Sequence, residues 1–285
     1  MRIVVHGGAG SPPEAPDRRQ QVLDEAAAAG AAEVDPISAV VAAVNILESS
    51  PRFNAGVGGA IQSDGIVRTD AGLMTDTLDA GAAAAMPGVC HAIDVARVVM
   101  EETPHVLVSG VHAVDLAAAF GIETAVDLRS DRTREKWAEL EHVPEATDVR
   151  GQLDWSKEKF GGHDTVGAVA VADGRVAAAT STGGRWLALA GRVGDVPQIG
   201  SGFYASPAGG ASATGAGEDI AKVTLTRRAV GLLEAGETAQ NAAELALEGL
   251  EERTGSEAGV IVLGADGSAG SAYNTDAMQV SEAGE

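Results

Sequence analysis

Gly161-Gly162-His163-Asp164-Thr165-Val166-Gly167 is where this 285-residue chain changes character. Upstream, from about Asp127 to Gly162, it is polar and charged, with Arg129-Ser-Asp-Arg-Thr-Arg-Glu-Lys136 and Ser156-Lys-Glu-Lys159. That stretch reads as a short helix followed by a mobile linker. Downstream, Thr165 to Val171 and Val176 to Thr180 read as two strands of small residues joined by a hairpin turn at Asp173-Gly174. A Thr on this boundary also has a chemical reading. A hydroxyl is a poor nucleophile unless a base removes its proton, and an internal Thr brings no base of its own. Cutting the chain before Thr165 would leave an α-amine, with an ordinary pKa near ~8, beside the Thr165 hydroxyl, so that one residue supplies nucleophile and base. Taken alone, the boundary is more simply a loop followed by a strand that begins with a β-former.

The residues that follow bear on that choice. Thr180-Ser-Thr182-Gly-Gly184 closes the partner strand and puts Thr182 within reach of a Thr165 amine. Gly191-Arg-Val-Gly-Asp195-Val-Pro197 spaces Arg192 and Asp195 three apart in a turn-rich segment. Arg grips a carboxylate with two parallel hydrogen bonds and Asp binds an ammonium, so the pair suits the two α-groups of a free amino acid; a surface salt bridge is the plainer reading. Ser212-Ala-Thr214-Gly-Ala-Gly-Glu218 precedes a helix, where Thr214 and the Gly215 amide could form an oxyanion pocket or a simple N-cap.

Composition removes other function classes. Acidic residues number 41 against 20 basic ones, a net charge of −21, which argues against nucleic acid or an anionic membrane as partner. Cys90 is the single cysteine, so an intrachain disulfide and a Cys-based zinc site are excluded. The longest apolar run, around Ala80 to Cys90, is too short to span a bilayer. The N-terminus lacks the pattern of a signal peptide, so the expected location is the cytoplasm. Hydrophobic residues make up 45% of the chain, so the acidity is not that of a disordered segment. An acidic surface with only four Lys points to a halophilic protein from a salt-rich cytoplasm, where self-repulsion is screened; an ordinary acidic enzyme from a high-GC genome is the plainer reading.

Working outward, Met1 to Val5 reads as a strand entering a turn at His6-Gly-Gly-Ala-Gly10, and Asp17 to Glu33 as an Ala-rich helix. Asp35-Pro36 supplies an N-cap and first-turn proline for a helix from Ile37 to Glu48. Short strands are expected near Ile66 to Ala71 and Ala80 to Met86. Helices are expected at His91 to Glu102, Val106 to Phe120, Glu218 to Glu234 and Thr238 to Arg253, with a closing hairpin from Gly259 to Leu263 and Ser268 to Tyr273 around Asp266-Gly267. The chain reads as one domain over 1–285 of mixed α and β structure. No nucleophile elbow or Walker-type loop is present, the Gly runs fit a dinucleotide fingerprint poorly, and the six His show no metal-ligand spacing.

Six motifs in order carry a resemblance: His6-Gly-Gly-Ala-Gly10, Pro51-Arg-Phe-Asn-Ala-Gly-Val-Gly58, Asp164-Thr165-Val-Gly, Thr180-Ser-Thr-Gly-Gly184, Gly191-Arg-Val-Gly-Asp195 and Ala213-Thr-Gly-Ala-Gly-Glu218. Over nearly its whole length the chain resembles the plant-type asparaginases and isoaspartyl peptidases, which are N-terminal nucleophile hydrolases. The resemblance implies an α+β fold, a four-layer αββα sandwich, made as an inactive precursor that cuts itself between Asp164 and Thr165 into chains 1–164 and 165–285. It implies that Thr165 is the nucleophile and its amine the base, with Thr182 orienting that amine and Asn54 close by. Arg192 and Asp195 would bind the substrate's α-carboxylate and α-amine, with help from the Gly217 carbonyl, while Thr214 and the Gly215 amide form the oxyanion hole. Substrates would be L-asparagine and β-aspartyl dipeptides.

The family often binds a structural Na+ through backbone carbonyls in a loop matching Leu47 to Val57, here Leu47, Glu48, Ser50, Phe53, Ala55 and Val57; no other cofactor is implied. The family's usual assembly is a dimer of processed αβ units. Two departures stand out. After Asp70-Ala71 the chain reads Met74-Thr-Asp-Thr-Leu78 and is one residue short of the family's Met-Asp-Gly-like stretch. Asp164 before the nucleophile is the residue favoured by the related glycosylasparaginases. A glycosylasparagine amidase, or an unprocessed homologue that only binds amino acids, are the alternatives.

Overall fold

Strands made of alternating small apolar residues, apolar on both faces, must be covered on both. A computed structural model, which describes residues 1–145, 147–159, 161 and 164–284, shows how the cover is supplied. In chain order the elements are β1 (Arg2–Gly10), α1 (Pro16–Ala31), α2 (Pro36–Ser49), β2 (Arg68–Thr75), β3 (Ala80–Pro87), α3 (Ala92–Glu102), β4 (Leu107–Ser109), α4 (Val111–Ala119), α5 (Asp131–Ala138) and α6 (Val149–Lys159). They continue with β5 (Val166–Ala172), β6 (Arg175–Thr182), β7 (Phe203–Ser206), β8 (Gly209–Gly215), α7 (Gly217–Val223), α8 (Leu225–Glu234), α9 (Ala239–Thr254), β9 (Ala258–Gly264), β10 (Ala269–Tyr273) and β11 (Ala277–Gly284).

Among the described residues the strands form two sheets, ordered β11-β1-β5-β6-β2-β3-β4 and β10-β9-β8-β7. Each β-strand sends alternate residues to opposite sides. From β5, Val166, Ala168 and Ala170 join Leu23, Val40, Val44 and Ile93 of the first three helices. Its Val169 and Val171 instead meet Phe203, Ile261 and Leu263 of the smaller sheet. The outer face of that sheet packs Ala211, Ala213, Val260 and Val262 on Ala229, Val230, Ala243 and Leu250 of α8 and α9. The layers are therefore helix, sheet, sheet, helix: the four-layer αββα sandwich.

Several expected elements appear as read. Asp35 accepts a hydrogen bond from Ser38 N at 3.0 Å ahead of Pro36. The β5–β6 turn places Asp173 and Gly174 both at positive φ, the backbone that a two-residue hairpin requires. Other readings are corrected. The helix expected from Val106 begins only at Val111, because Leu107–Ser109 pairs in parallel with β3. The single helix expected from Glu218 to Glu234 breaks at Thr224, whose φ of 51° ends α7 and starts α8. Strands β7, β8 and β11 were not anticipated. The stretch from Asp127 holds two helices rather than one: α6 buries Gln152, Trp155 and Ser156. Gly162 and His163, where the linker was expected to end, lie outside the described residues. None of the described helices is long and apolar enough to cross a membrane.

Candidate active site

The alternation that buries the valines also delivers the polar groups. On β5 the face that carries Val169 carries Gly167 and, one step before the strand, Thr165. On β6 the same face presents Thr180 and Thr182, on β2 Asp70, on β1 His6 and on β8 Ser212 and Thr214. All of these side chains are buried, and Thr165 is 5% exposed. Val166 pairs with Ser181, so Thr165 and Thr182 stand one step further along the same two strands. Thr182 in turn pairs with Asp70. The candidate nucleophile, Thr182 and Asp70 thus form a row across three neighbouring strands, facing the smaller sheet.

The carbonyl that precedes Thr165 is gripped by two donors. Asn54 Nδ2 donates to Asp164 O at 2.7 Å, and Thr182 Oγ1 donates to it at 3.2 Å. Asn54 is itself fixed: Nδ2 also donates to Gly184 O at 2.6 Å and Oδ1 accepts from Ala60 N at 2.8 Å. The Asp164 side chain is anchored from the other side. Arg19 Nη2, which also donates to Gly7 O, pairs with Asp164 Oδ2 at 2.7 Å, and its guanidinium stacks 4.8 Å over the Phe53 ring. Gly8 makes this possible. Its φ is +106°, and a Cβ there would lie 1.2 Å from Asp164 Oδ1. Two donors on a peptide carbonyl, with a hydroxyl next to its carbon, is an arrangement that polarises that carbonyl towards attack.

A second group lies at the C-terminal end of β8. Arg192 does not pair with Asp195, as a surface salt bridge would require. Its Nε donates to Glu218 Oε1 at 2.7 Å, and Arg185 Nη1 donates to Glu218 Oε2 at 2.9 Å. Among the described residues, the buried Arg192 Nη2 and Asp195 Oδ2 have no hydrogen-bond partner. Gly217 sits between them: a Cβ there would come within 2.4 Å of Asp195 Oδ1 and 2.8 Å of Arg192 Nη2. A buried guanidinium nitrogen and a buried carboxylate oxygen, both unsatisfied, are a strong request for a zwitterion.

The electrostatics fit that request. Burial pushes the Asp195 carboxyl up to about 6 against the pull of Arg192. Burial likewise raises Asp70 to about 7, opposed by the Ala85 amide and Arg192 and reinforced by Asp195. Burial would also raise Glu218, but the hydrogen bond and charge of Arg192, with the charge of Arg185, hold it down, at about 2. His6 is buried and its ring is pushed down to about 3, so it is neutral. Its Nε2 lies 2.9 Å from Ser212 Oγ, which lies 2.7 Å from Thr180 Oγ1, which donates to Gly202 O at 2.8 Å. This polar chain ties the two sheets together directly behind Thr165.

The stretch precedes a helix as the sequence suggested, but Thr214 and Gly215 end a strand and do not cap that helix, whose N-cap is Ala216. They lie on β8, paired with Gly259 and Ala258, and α7 begins only at Gly217. Thr214 Oγ1 accepts from Ala9 N at 3.3 Å, which brings β8 against the β1 turn that cradles Asp164.

The Leu47–Val57 loop folds back on itself. Ser50 N donates to Leu47 O, Phe53 N to Ser50 O and Val57 N to Glu48 O. Leu47 O and Ser50 O keep a second lone pair, whereas Glu48 O also accepts from Cys90 Sγ at 3.4 Å. A set made only of oxygens, such as the carbonyls of Leu47, Glu48, Ser50, Phe53, Ala55 and Val57, is the donor chemistry that a hard cation such as Na+ takes. The Glu48 side chain points elsewhere, accepting from Ser181 Oγ at 2.5 Å and Ile93 N at 3.1 Å. No cluster of His, Cys, Asp or Glu that could hold a metal is found among the described residues.

Sequence reading missed Arg19, Asp70, Arg185 and Glu218. Arg19 lies on an Ala-rich helix whose periodicity gives no hint of a functional face. Asp70 had a signal: the one acid in a buried strand, at the position where the β2–β3 register shifts. Glu218 closed a quoted motif without being given a task.

The asparaginase family model matches residues 1–284. The chain is 40% identical to the plant-type L-asparaginase of Pyrococcus abyssi, over 98% of this chain and 94% of that protein. It is 43% identical to the plant-type L-asparaginase of Pyrobaculum calidifontis, over 97% and 94% respectively. It is 38% identical to the human isoaspartyl peptidase/L-asparaginase, over 93% of this chain and 87% of that protein.

Proposed function

Since the chain belongs to the asparaginase family, we propose that it is an amidohydrolase that matures by cutting its own Asp164–Thr165 bond. It then hydrolyses the side-chain amide of L-asparagine and the isopeptide bond of β-aspartyl dipeptides. The observation that carries this reading is the Asp164 carbonyl held by Asn54 and Thr182 next to the Thr165 hydroxyl.

In maturation, Thr165 Oγ attacks the Asp164 carbonyl carbon, and the developing oxyanion is held by Asn54 Nδ2 and Thr182 Oγ1. The C–N bond breaks, the nitrogen takes up the hydroxyl proton, and an ester joins Asp164 to Thr165 Oγ. Water hydrolyses that ester, releasing the Asp164 carboxylate and leaving Thr165 with a free amine. Thr182, freed of the carbonyl, orients this amine.

In catalysis, Arg192 holds the substrate's α-carboxylate, and Asp195 with the Gly217 carbonyl holds its α-ammonium. The Thr165 amine takes the hydroxyl proton as Oγ attacks the β-carbonyl. Thr214 Oγ1 and the Gly215 amide steady the oxyanion. The amine passes its proton to the leaving nitrogen, ammonia or an amino acid departs, and water then releases aspartate from the β-aspartyl ester. Na+ in the Leu47–Val57 loop would stiffen the segment that carries Asn54. The family's dimer of processed units is the expected assembly.

The test is intact mass and N-terminal sequencing, with Thr165→Ala alongside. Two fragments, one beginning Thr-Val-Gly-Ala, that disappear in the variant support the reading. A single uncut chain inactive on both substrates would refute it and leave a binding role. Activity confined to a glycosylated asparagine would favour the glycosylasparagine amidase.

A further inference from the structure

The reading above assigns the substrate's aspartyl half and leaves its other half without a partner. When a β-aspartyl dipeptide is attacked, the leaving nitrogen belongs to an amino acid that carries its own α-carboxylate. Asparagine has no such group on its leaving side. The two substrates therefore differ by one negative charge, two bonds beyond the scissile nitrogen.

Open space borders Asp164, and in one of its cavities the basic side chains outnumber the acidic ones. A cavity of about 150 Å³ borders Asn54 and Asp164 and is walled by Arg132, Lys136 and Trp186. A larger one, of about 490 Å³, also borders Asp164; Arg132 lines it with Arg19 and Arg52, set against Glu14 and Asp131. Neither is lined by Arg192 or Asp195, so these spaces are separate from the α-group anchors.

Arg132 and Lys136 are one helical turn apart on α5. Burial lowers the Lys136 pKa, and the charge of the nearby Arg132 lowers it further. Like charges at that spacing repel. In a chain with twice as many acids as bases, neither has an ion-pair partner among the described residues. Lys136 Nζ rests instead 4.2 Å over the Trp186 ring.

Nor is α5 a piece that cleavage would discard. Trp137 of α5 meets Trp155 of α6 and Trp186 edge-on, at 6.2 Å and 6.5 Å. Ser156 Oγ donates to Leu187 O at 2.7 Å. Trp186 and Leu187 lie downstream of Thr165, so the contacts that hold α5 and α6 join the two prospective fragments and survive a cut between them.

We propose that Arg132 and Lys136 form the leaving-group subsite: they hold the α-carboxylate of the amino acid released from a β-aspartyl dipeptide and set the preference for dipeptides over asparagine. This rests on the functional reading above. The test compares Arg132→Gln, Lys136→Gln and the double variant on three substrates: L-asparagine, β-aspartyl-leucine and β-aspartyl-leucine amide, whose leaving side has lost the charge.

The double variant is expected to lower the ratio of kcat/KM for β-aspartyl-leucine to that for asparagine about tenfold. The loss should appear in KM, and the amidated dipeptide should show no such change in ratio. An equal loss on all three substrates overturns the proposal, because the cations would then be supporting the fold or the new Asp164 terminus. An unchanged ratio also overturns it. Failure of the functional reading is distinct: wild-type protein would then neither cut itself nor release ammonia from asparagine, and the subsite would fall with it.

Discussion

Asn54→Ala tests the proposed maturation step. The variant deletes the shorter of the two hydrogen bonds to the Asp164 carbonyl, 2.7 Å against 3.2 Å from Thr182. Loss of one such donor from an oxyanion pocket slows reaction by about 10²- to 10³-fold, roughly 3–4 kcal/mol. Thr182→Val, which removes the longer bond, should slow self-cleavage less. Asn54 also accepts from the Ala60 amide, so Asn54→Ala loosens its loop as well. Asn54→Asp separates the two effects: it keeps an oxygen for Ala60 but turns a carboxylate oxygen towards the Asp164 carbonyl. The assay is a time course of intact mass after refolding at high salt, with thermal unfolding recorded for each variant. The expected order of rates is wild type, Thr182→Val, then both Asn54 variants. A folded Asn54→Asp protein that cuts itself at the wild-type rate would remove the carbonyl grip from the mechanism.

Three further outcomes follow from the site. Arg192→Ala should leave self-cleavage largely intact yet raise KM by about 2–4 kcal/mol equivalent; a near-normal KM in steady-state kinetics would remove Arg192 as the carboxylate anchor. Asp195 must be ionised to hold an ammonium, so kcat/KM should climb through about pH 6, the value to which burial pushes this carboxyl, and Asp195→Asn should lose that limb along with most activity. Stability runs the opposite way: Asp195 and Asp70 have raised pKa values, so their favourable contribution is complete below the unfolded value near ~4 and is lost as pH rises through about 6 and 7. Unfolding midpoints in Asp70→Asn should accordingly fall less with pH than in wild type. With a net charge of −21, folding and activity are expected to need molar salt, and full activity after dialysis to low salt would dispose of the halophilic reading.

The legible parts of this protein were those set by local chemistry. Asp35-Pro36 and Asp173-Gly174 dictate their cap and turn whatever surrounds them. The small-residue runs on either side of that turn mark β5 and β6 as a hairpin. By contrast, β7, β8 and β11 gain their conformation from partners distant in sequence: β8 is a run of Gly, Ala, Ser and Thr with little strand preference until β9 lies beside it. That is why Thr214 and Gly215 looked like helix-cap residues. Arg192 and Asp195 were recognisable by type, but their isolation from each other depends on Glu218 and Arg185 arriving from elsewhere. The Arg19–Asp164 pair spans 145 residues of sequence, and no local rule reports it.

The larger sheet has one more implication, which concerns folding history. Its order places β1, from before residue 165, between β11 and β5, both from after it; β6 then borders β2 from the first part. Breaking the chain at Thr165 leaves two polypeptides plaited through one sheet, with ladders crossing between them in three places. They could not part without dismantling the core, so such a break is expected to leave the fold in place. What it abolishes is the way back. An uncut chain finds its strand partners as a single molecule, whereas the halves, once denatured, must meet at micromolar concentration with long unpaired edges exposed. Each molecule is thus expected to fold once: mature enzyme driven through its unfolding transition should return poorly and with a second-order dependence on concentration, while Thr165→Ala should return fully at any dilution.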